Sequence, residues 1–358
     1  MERFRAMTPS QRVSLAINGE KPDKLPIIVI NSNTFTCLHY GISIEEYITN
    51  PYKCAEVHIR FIQDFGIDCA MVAAAYILYG TGPEMGVHWE HADGNFPGSV
   101  KGVLESEEDL SILKVPSKPS GYFKTYVEAI RLVNQALGDT HYLTANVIGP
   151  FTVACFLRGI EQTLVDTMMN PDLFDKLMTF STDFSVYLGK TIRDITGLSH
   201  PILNEIFLAP EMIRPDVYHA QIAPYDIDVQ RRLGPGPVPN SFAFMGKAGD
   251  RHSQKIAASL NQAFFGVGES IEAIKDATQG GRPAGYPFPV GVSGRALNSW
   301  DADKIVSFLK EAIDSLISEK GIYPSINLPS VQTDSPKKAR EMVDKLNAIN
   351  KFRNNYAI

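Results

Sequence analysis

A single carboxylate closes the apolar run "HPILNE", where Glu205 ends a predicted strand. With no lysine beside it, such a group can serve as a metal ligand, a general acid or base with a raised pKa, or a hydrogen-bond acceptor of the fold. The loop "GKAGDRHSQ" (246–254) is the most polar stretch that follows a predicted strand. Gly246 and Gly249 let the backbone approach a ligand closely, and Asp250, Arg251 and His252 add an acid, a fixed cation and a base that titrates near neutrality. The expected catalytic set is therefore Glu205, Asp250 and His252, with Arg251 on the substrate.

Weaker signals surround this set. Cys37-x-His39 has soft-ligand chemistry, but two ligands do not make a zinc site and a buried cysteine is the commoner explanation. "HWEH" (88–91) holds two histidines and an acid, and Trp89 suggests a lid or an interface. Asn33, Tyr76, Tyr79 and Asn146 are candidate substrate-facing groups. Ser293 and Arg295 follow a strand, and Arg295 could hold a carboxylate or phosphate or pair with an acid. In "NVIGPFTVACFLRG" (146–159), Gly149-Pro150 turns a strand into a helix whose free N–H groups are expected at the mouth of a site. The apolar start of that helix, Phe151, Val153, Cys155 and Phe156, would form a wall suited to an apolar ligand.

Elements must hold these residues in place. Apolar runs predict eight strands: Pro26–Asn31, Asp68–Ala73, Tyr142–Val147, His200–Phe207, Ser241–Gly246, Ala263–Val267, Pro287–Val292 and Ile322–Asn327. Most are continuous and not alternating, as parallel strands buried on both faces require. Thr8-Pro9, Asn50-Pro51 and Asn170-Pro171 read as N-caps followed by proline, and Ser43-x-x-Glu46 as a capping box. Ile305, Phe308, Leu309, Ala312 and Leu316 form a helical apolar stripe. Eight strand-then-helix units predict an α/β fold, a (β/α)8 TIM barrel with its site at the C-terminal strand ends. One domain over 1–358 is expected, with an N-terminal helix and a lid-like excursion at about 76–120.

Bulk properties narrow the function. The 358 residues are 44% hydrophobic and 21% charged, with a net charge of −6. No basic stripe marks a nucleic-acid binder, and Lys337, Lys338 and Arg340 share their helix with Glu341 and Asp344. The run Cys69 to Leu78 is too short to span a bilayer. Cys37, Cys54, Cys69 and Cys155 form no CxxC and follow no signal peptide, so reduced thiols in a cytoplasm are expected.

Several stretches together resemble the uroporphyrinogen decarboxylase superfamily, and within it the corrinoid-dependent methyltransferases. They are "MTPSQRVSLAINGEKPDKLPI", "FGIDCAMV", "SEEDLSILKVP", "GPFTVACFLRG" and "LAPEMIRPDVYHAQIAPY", in the family's order over nearly the whole chain. The resemblance implies the decarboxylase-like TIM barrel. The arginine and aspartate that grip porphyrinogens have no counterpart in "NSNTFTCLHYG" or "MVAAAYILYG". The zinc-binding His-x-Cys of the thiol-activating branch reads "AFMG" (243–246), and its later cysteine reads Asn327, which argues against methyl transfer to a thiol. Asn327 thereby joins Asn33, Tyr76, Asn146, Phe151, Arg251 and Arg295 as a substrate-binding candidate. Harder zinc ligands in methyl-ether members suggest Glu205 with His219 as a metal pair. The implied function is methyl transfer between a small methylated compound, such as a methoxy-arene, and a corrinoid carried by a partner protein. A decarboxylase or lyase on a small acid, and a non-catalytic corrinoid-protein partner, are the alternatives.

Overall fold

Continuous apolar strands pair in parallel because both of their faces can be buried. The computed structural model describes residues 7–72, 104–198, 201–205, 207–208, 213–234, 242–243, 271, 274 and 288–358. Its strands are β1 (Ile27–Val29), β2 (Cys69–Val72), β3 (Tyr142–Ile148), β4 (Pro201–Asn204), β5 (Phe242–Ala243), β6 (Pro289–Gly291) and β7 (Ser325–Leu328). They form one parallel sheet in the order β5-β4-β3-β2-β1-β7-β6. The first strand in the chain thus pairs with the last, Ile28 opposite Asn327, and the sheet is a half-barrel. The predicted strand Ala263–Val267 lies outside the described residues, as do 76–103 of the predicted excursion. In its described part Leu104 is buried, and its N–H donates to the Leu157 carbonyl at 3.0 Å.

The described helices are α1 (Pro9–Asn18), α2 (Asn33–Tyr40), α3 (Ile44–Thr49), α4 (Pro51–Asp64), α5 (Gly121–Leu137), α6 (Pro150–Arg158), α7 (Ile160–Met169) and α8 (Pro171–Thr196). They continue as α9 (Pro215–Val217), a π-helical turn Tyr218–Ile222, α10 (Ala223–Leu233), α11 (Gly294–Ser299), α12 (Ala302–Lys320) and α13 (Pro336–Asn355). Thr8 with Gln11 and Ser43 with Glu46 form capping boxes, and Asn50 accepts from Tyr52 and Lys53 N–H. Asn170 departs from its expected role. Its amide donates to Asp166 at 2.7 Å, and it makes no side-chain cap. None of the described helices is long and apolar enough to cross a membrane.

Alternation along the strands separates two cores. Ile27, Val29, Ala70, Val72, Leu143, Ala145 and Val147 pack outward against the helices. Ile28, Cys69 and Met71 form a second cluster with Val13 of α1, and Ile30 and Tyr142 pack against it. That second face is the inner face of the half-barrel, with α1 across one end of it.

At the N-terminal strand ends an ion cluster fastens chain termini to the sheet. Asp68, 2% exposed, accepts from Arg12, from Arg353 and from the Ile27 N–H (2.8 Å). Arg12 also bonds Asp23 at 2.6 Å through Nε.

Candidate active site

Register places a polar set on the inner face. Met71 pairs with Thr144, so Thr144 points inward, and alternation brings Asn146 and Ile148 to the same side. Ile148 pairs with Asn204, and inward-facing Ile28 pairs with Asn327. Thr144, Asn146 and Asn327 are 3%, 2% and 0% exposed, and Asn204 is half-buried. The Thr144 hydroxyl, the Oδ1 atoms of Asn146 and Asn204, and both polar atoms of Asn327 have no hydrogen-bond partner among the described residues. A buried polar group left unpaired costs about 1–3 kcal/mol, so such groups ordinarily meet a partner. Strands β1 to β7 contain no charged residue on either face. The wall is uncharged and rich in acceptors.

The rim above β1 and β7 is fixed by a clamp that no short motif announces. The Gln332 Oε1 accepts from the Thr34 N–H at 2.8 Å, and Gln332 also bonds Asn31. Val331 N–H donates to the Asn31 carbonyl at 2.7 Å. Beside it Asn33 is buried, and its Oδ1 accepts from Tyr47 Oη at 2.8 Å. Tyr47 Oη lies 2.6 Å from Nε2 of His58, whose pKa burial pushes down to about 4. A neutral His58 donating to Tyr47, which donates to Asn33, fits these distances. Asn33 is therefore held in place through its carbonyl.

Glu205 is fully buried and serves the fold. Its carboxylate accepts from Phe151 N–H (2.9 Å), Thr152 N–H (2.7 Å) and the Thr152 hydroxyl (2.6 Å) at the start of α6. Those are the N–H groups expected to face a ligand, and an internal anion takes them. Gly149 has ordinary extended dihedrals, φ −75° and ψ 158°, so its conformation does not demand glycine. Space does. A Cβ built there would lie 2.6 Å from Cγ of Glu205 and closer still to its carboxyl group.

The partner of Glu205 is also not the expected one. His219 is exposed on the π-helical turn, while Asp226 of α10 is fully buried next to Glu205, and its Oδ1 meets no N–H or O–H donor among the described residues. Burial and the adjacent Glu205 carboxylate raise the Asp226 pKa well above its ordinary 3.8. Burial also raises Glu205, against the pull of its donors. Two buried carboxylates cannot both be ionised, so Asp226 holds one proton and donates it to Glu205. Tyr218 Oη donates to the other Asp226 oxygen at 3.1 Å. The metal pair Glu205–His219 is replaced by a proton-sharing pair, Glu205–Asp226, which sequence reading missed because Asp226 sits in an ordinary amphipathic helix.

A pH dependence follows. The folded chain keeps a proton that the unfolded chain releases near pH 4, so this contribution to stability is lost as pH rises through the raised Asp226 value. Asp226→Asn removes that titration and should flatten the fall of Tm with rising pH. Parallel Tm profiles for the two proteins, measured from pH 4 upward, would refute the shared proton.

The other candidates are distributed as follows. Phe151 is 0% exposed in the outer core with Val153 and Cys155, so the expected pocket wall is packing against helices; Phe156 is half-buried against Phe207. Arg295 is exposed on α11, and Ser293 caps that helix by accepting from the Ala296 N–H. Cys37 is buried, with its thiol pushed up to about 12 by burial, while His39 is exposed and stacks on Phe35. Tyr76, Tyr79, His88, His91, Asp250, Arg251 and His252 lie outside the described residues. Among the described residues no three His, Cys, Asp or Glu side chains converge as metal ligands. With a carboxamide at 327, the described donor set does not fit a zinc centre.

Comparison with known proteins places this geometry among relatives. A family model described as uroporphyrinogen decarboxylase (URO-D) matches residues 8–281. A methylcobamide:CoM methyltransferase MtaA of Methanosarcina barkeri is 21% identical over 222 residues, 58% of this chain, and the match spans 62% of that relative's length. A methylcobamide:CoM methyltransferase MtbA of Methanosarcina mazei is 22% identical over 258 residues, covering 68% of this chain and 74% of the relative. A uroporphyrinogen decarboxylase of Anaeromyxobacter sp. is 25% identical over 181 residues, 45% of this chain and 51% of its own. Among solved structures, a methyltransferase from Methanosarcina mazei superposes with a TM-score of 0.77 over 97% of this chain and 98% of its own, at 18% identity. That likeness is one of fold.

Proposed function

Because the chain belongs to the uroporphyrinogen decarboxylase family, we propose that it is a corrinoid-dependent methyltransferase acting on a small methylated compound, such as a methoxy-arene, together with a corrinoid-carrying partner protein. The observation that carries this reading is the uncharged inner face. A substrate with many carboxylates needs cations, and β1 to β7 offer only carboxamides, hydroxyls and apolar groups. β5 and β6 are the two edges of the described sheet, and the (β/α)8 reading puts the predicted strand Ala263–Val267 between them. The chain has Asn327 where the resembled thiol-activating pattern has cysteine, which supports a methylated partner other than a thiol.

The corrinoid, when its carrier docks, supplies a strongly nucleophilic cobalt. The protein's share is then to orient the methylated compound and to put a proton on its departing oxygen. Asp250 and His252 are the proposed donors, and Arg251, Tyr76 and Arg295 the proposed rim contacts. Glu205 and Asp226 act by position, holding the start of α6 above β3.

The test is methyl transfer from 2-methoxyphenol to chemically reduced cobalamin, followed by the absorbance of the cobalt centre. Dependence on this protein, with a loss of about 100-fold or more in His252→Ala, is expected. Decarboxylation of uroporphyrinogen, with no methyl transfer, would overturn the reading.

A further inference from the structure

Four side chains on one face of the sheet, drawn from three strands, carry buried polar atoms that nothing among the described residues satisfies: Thr144 and Asn146 of β3, Asn204 of β4 and Asn327 of β7. Five atoms are involved. Three are carboxamide oxygens, one is the Asn327 amide nitrogen and one is the Thr144 hydroxyl. Asn146 is pinned as well as buried, because its backbone N–H donates to Tyr126 Oη at 3.0 Å. Its side-chain oxygen is thus presented by a fixed strand and not by a loop. A fold that held these groups only for its own stability would pair them with one another or replace them by leucine, since each unpaired atom costs free energy.

The chemistry of the set limits what completes it. Among these fully buried atoms the oxygens outnumber the single nitrogen, so the missing partner brings N–H or O–H groups. No strand residue is charged, so an ionised group held against the sheet would lose its hydration with no counter-ion on the strands that hold it. We propose that the inner face recognises an uncharged, hydrogen-bond-donating group of the methylated substrate, through the side chains of Asn146 and Asn327 with Thr144 and Asn204 beside them. This rests on the methyltransferase reading for the word methylated alone. The binding chemistry is read from the sheet.

Three probes of similar shape separate donor from charge: 2-methoxyphenol has a donor, 1,2-dimethoxybenzene has none, and 2-methoxybenzoate is an anion. Calorimetric titration of the full chain should rank the phenol tightest. Asn327→Leu and Asn146→Leu should each weaken it about tenfold or more, because the phenol hydroxyl then stays unpaired. The same substitutions should leave Tm unchanged or raise it, because each deletes an unsatisfied buried group. A structural carboxamide would do the reverse, so a sharp fall in Tm overturns the proposal. Tighter binding of the benzoate, phenol binding indifferent to Asn327→Leu, or no binding of any probe up to its solubility also overturns it, the last leaving ordered water as the partner. Phenol binding that depends on Asn327 without any methyl transfer would leave this site standing and remove the methyltransferase reading. Methyl transfer from the dimethoxy compound, unaffected by Asn327→Leu, would do the opposite.

Discussion

Replacing Asp68 by alanine should cost about 3–5 kcal/mol, the largest single loss expected at any described position. Arg353 is 3% exposed, and Asp68 is the carboxylate it bonds. Burial already pulls the Arg353 pKa down, so its charge is held in the fold against a desolvation cost. Without Asp68 that charge stays buried and uncompensated, whereas Arg12 keeps Asp23. The Ile27 N–H at the start of β1 loses its acceptor in the same step. A domain stable by about 5–15 kcal/mol would keep only a fraction of its margin. The check is a cycle with Arg353→Leu, measured by denaturant midpoint. Removing the stranded cation should recover part of the loss, so the double variant is more stable than the two single losses summed. Additive losses would show that Asp68 matters through its backbone position and not its charge. The cluster lies at the end of the strands away from Asn146 and Glu205, so substrate binding per folded molecule should not change.

Both the fold and its limits of legibility follow from range along the chain. Short-range signals carried far. The apolar runs at 26–31, 68–73 and 142–147 became β1, β2 and β3 within a few residues, and Thr8, Ser43 and Asn50 cap the helices that their own spacing announces. Asn170 failed because its amide found Asp166 one turn back, a local competitor for the same side chain. Asp68 carried no signal at all. It heads a predicted strand, yet its partners are 56 and 285 residues away, and nothing in "FGIDCAMV" indicates a buried arginine pair.

The site divides in the same way. Asn146 was legible as a polar residue within an apolar strand and Asn327 only through the cysteine position of the resembled family, and register puts the two on one face. Asn204 and Thr144 were missed because their inward direction depends on which neighbour each strand chooses. Glu205 was legible as unusual, but its use was not. A buried acid at a strand end reads alike whether it meets a substrate or a helix start, and only the three donors from Phe151 and Thr152 decide between them. Phe151 was misread for the related reason that an apolar side chain can line a cavity or fill a core. The core won here because α6 packs against α8 on the outer side of the sheet.

That internal use of Glu205 supplies the second large effect, at a residue with no side chain. Gly149→Ala should destabilise the protein by about 3 kcal/mol, combining overpacking with the displacement of a bonded carboxylate. The added methyl meets Glu205 at Cγ, Cδ and Oε1, and Glu205 has no free direction in which to retreat. On one side it holds Phe151 and Thr152, and on the other it takes the Asp226 proton. Moving it therefore uncaps α6 and strands the proton-sharing pair together. The dependence is testable, because Glu205→Ala removes the obstacle. In that background Gly149→Ala should cost under about 1 kcal/mol, giving a coupling of about 2 kcal/mol between two residues 56 positions apart. Equal costs in the two backgrounds would mean that the glycine is needed for some other reason. The coupling would also bear on the site. The start of a helix after a parallel strand commonly receives a ligand's phosphate or carboxylate, and here the chain's own glutamate fills that place. An anionic substrate would have to displace Glu205 to use it, whereas an uncharged one, bound by Asn146 and Asn327 on the inner face, would not.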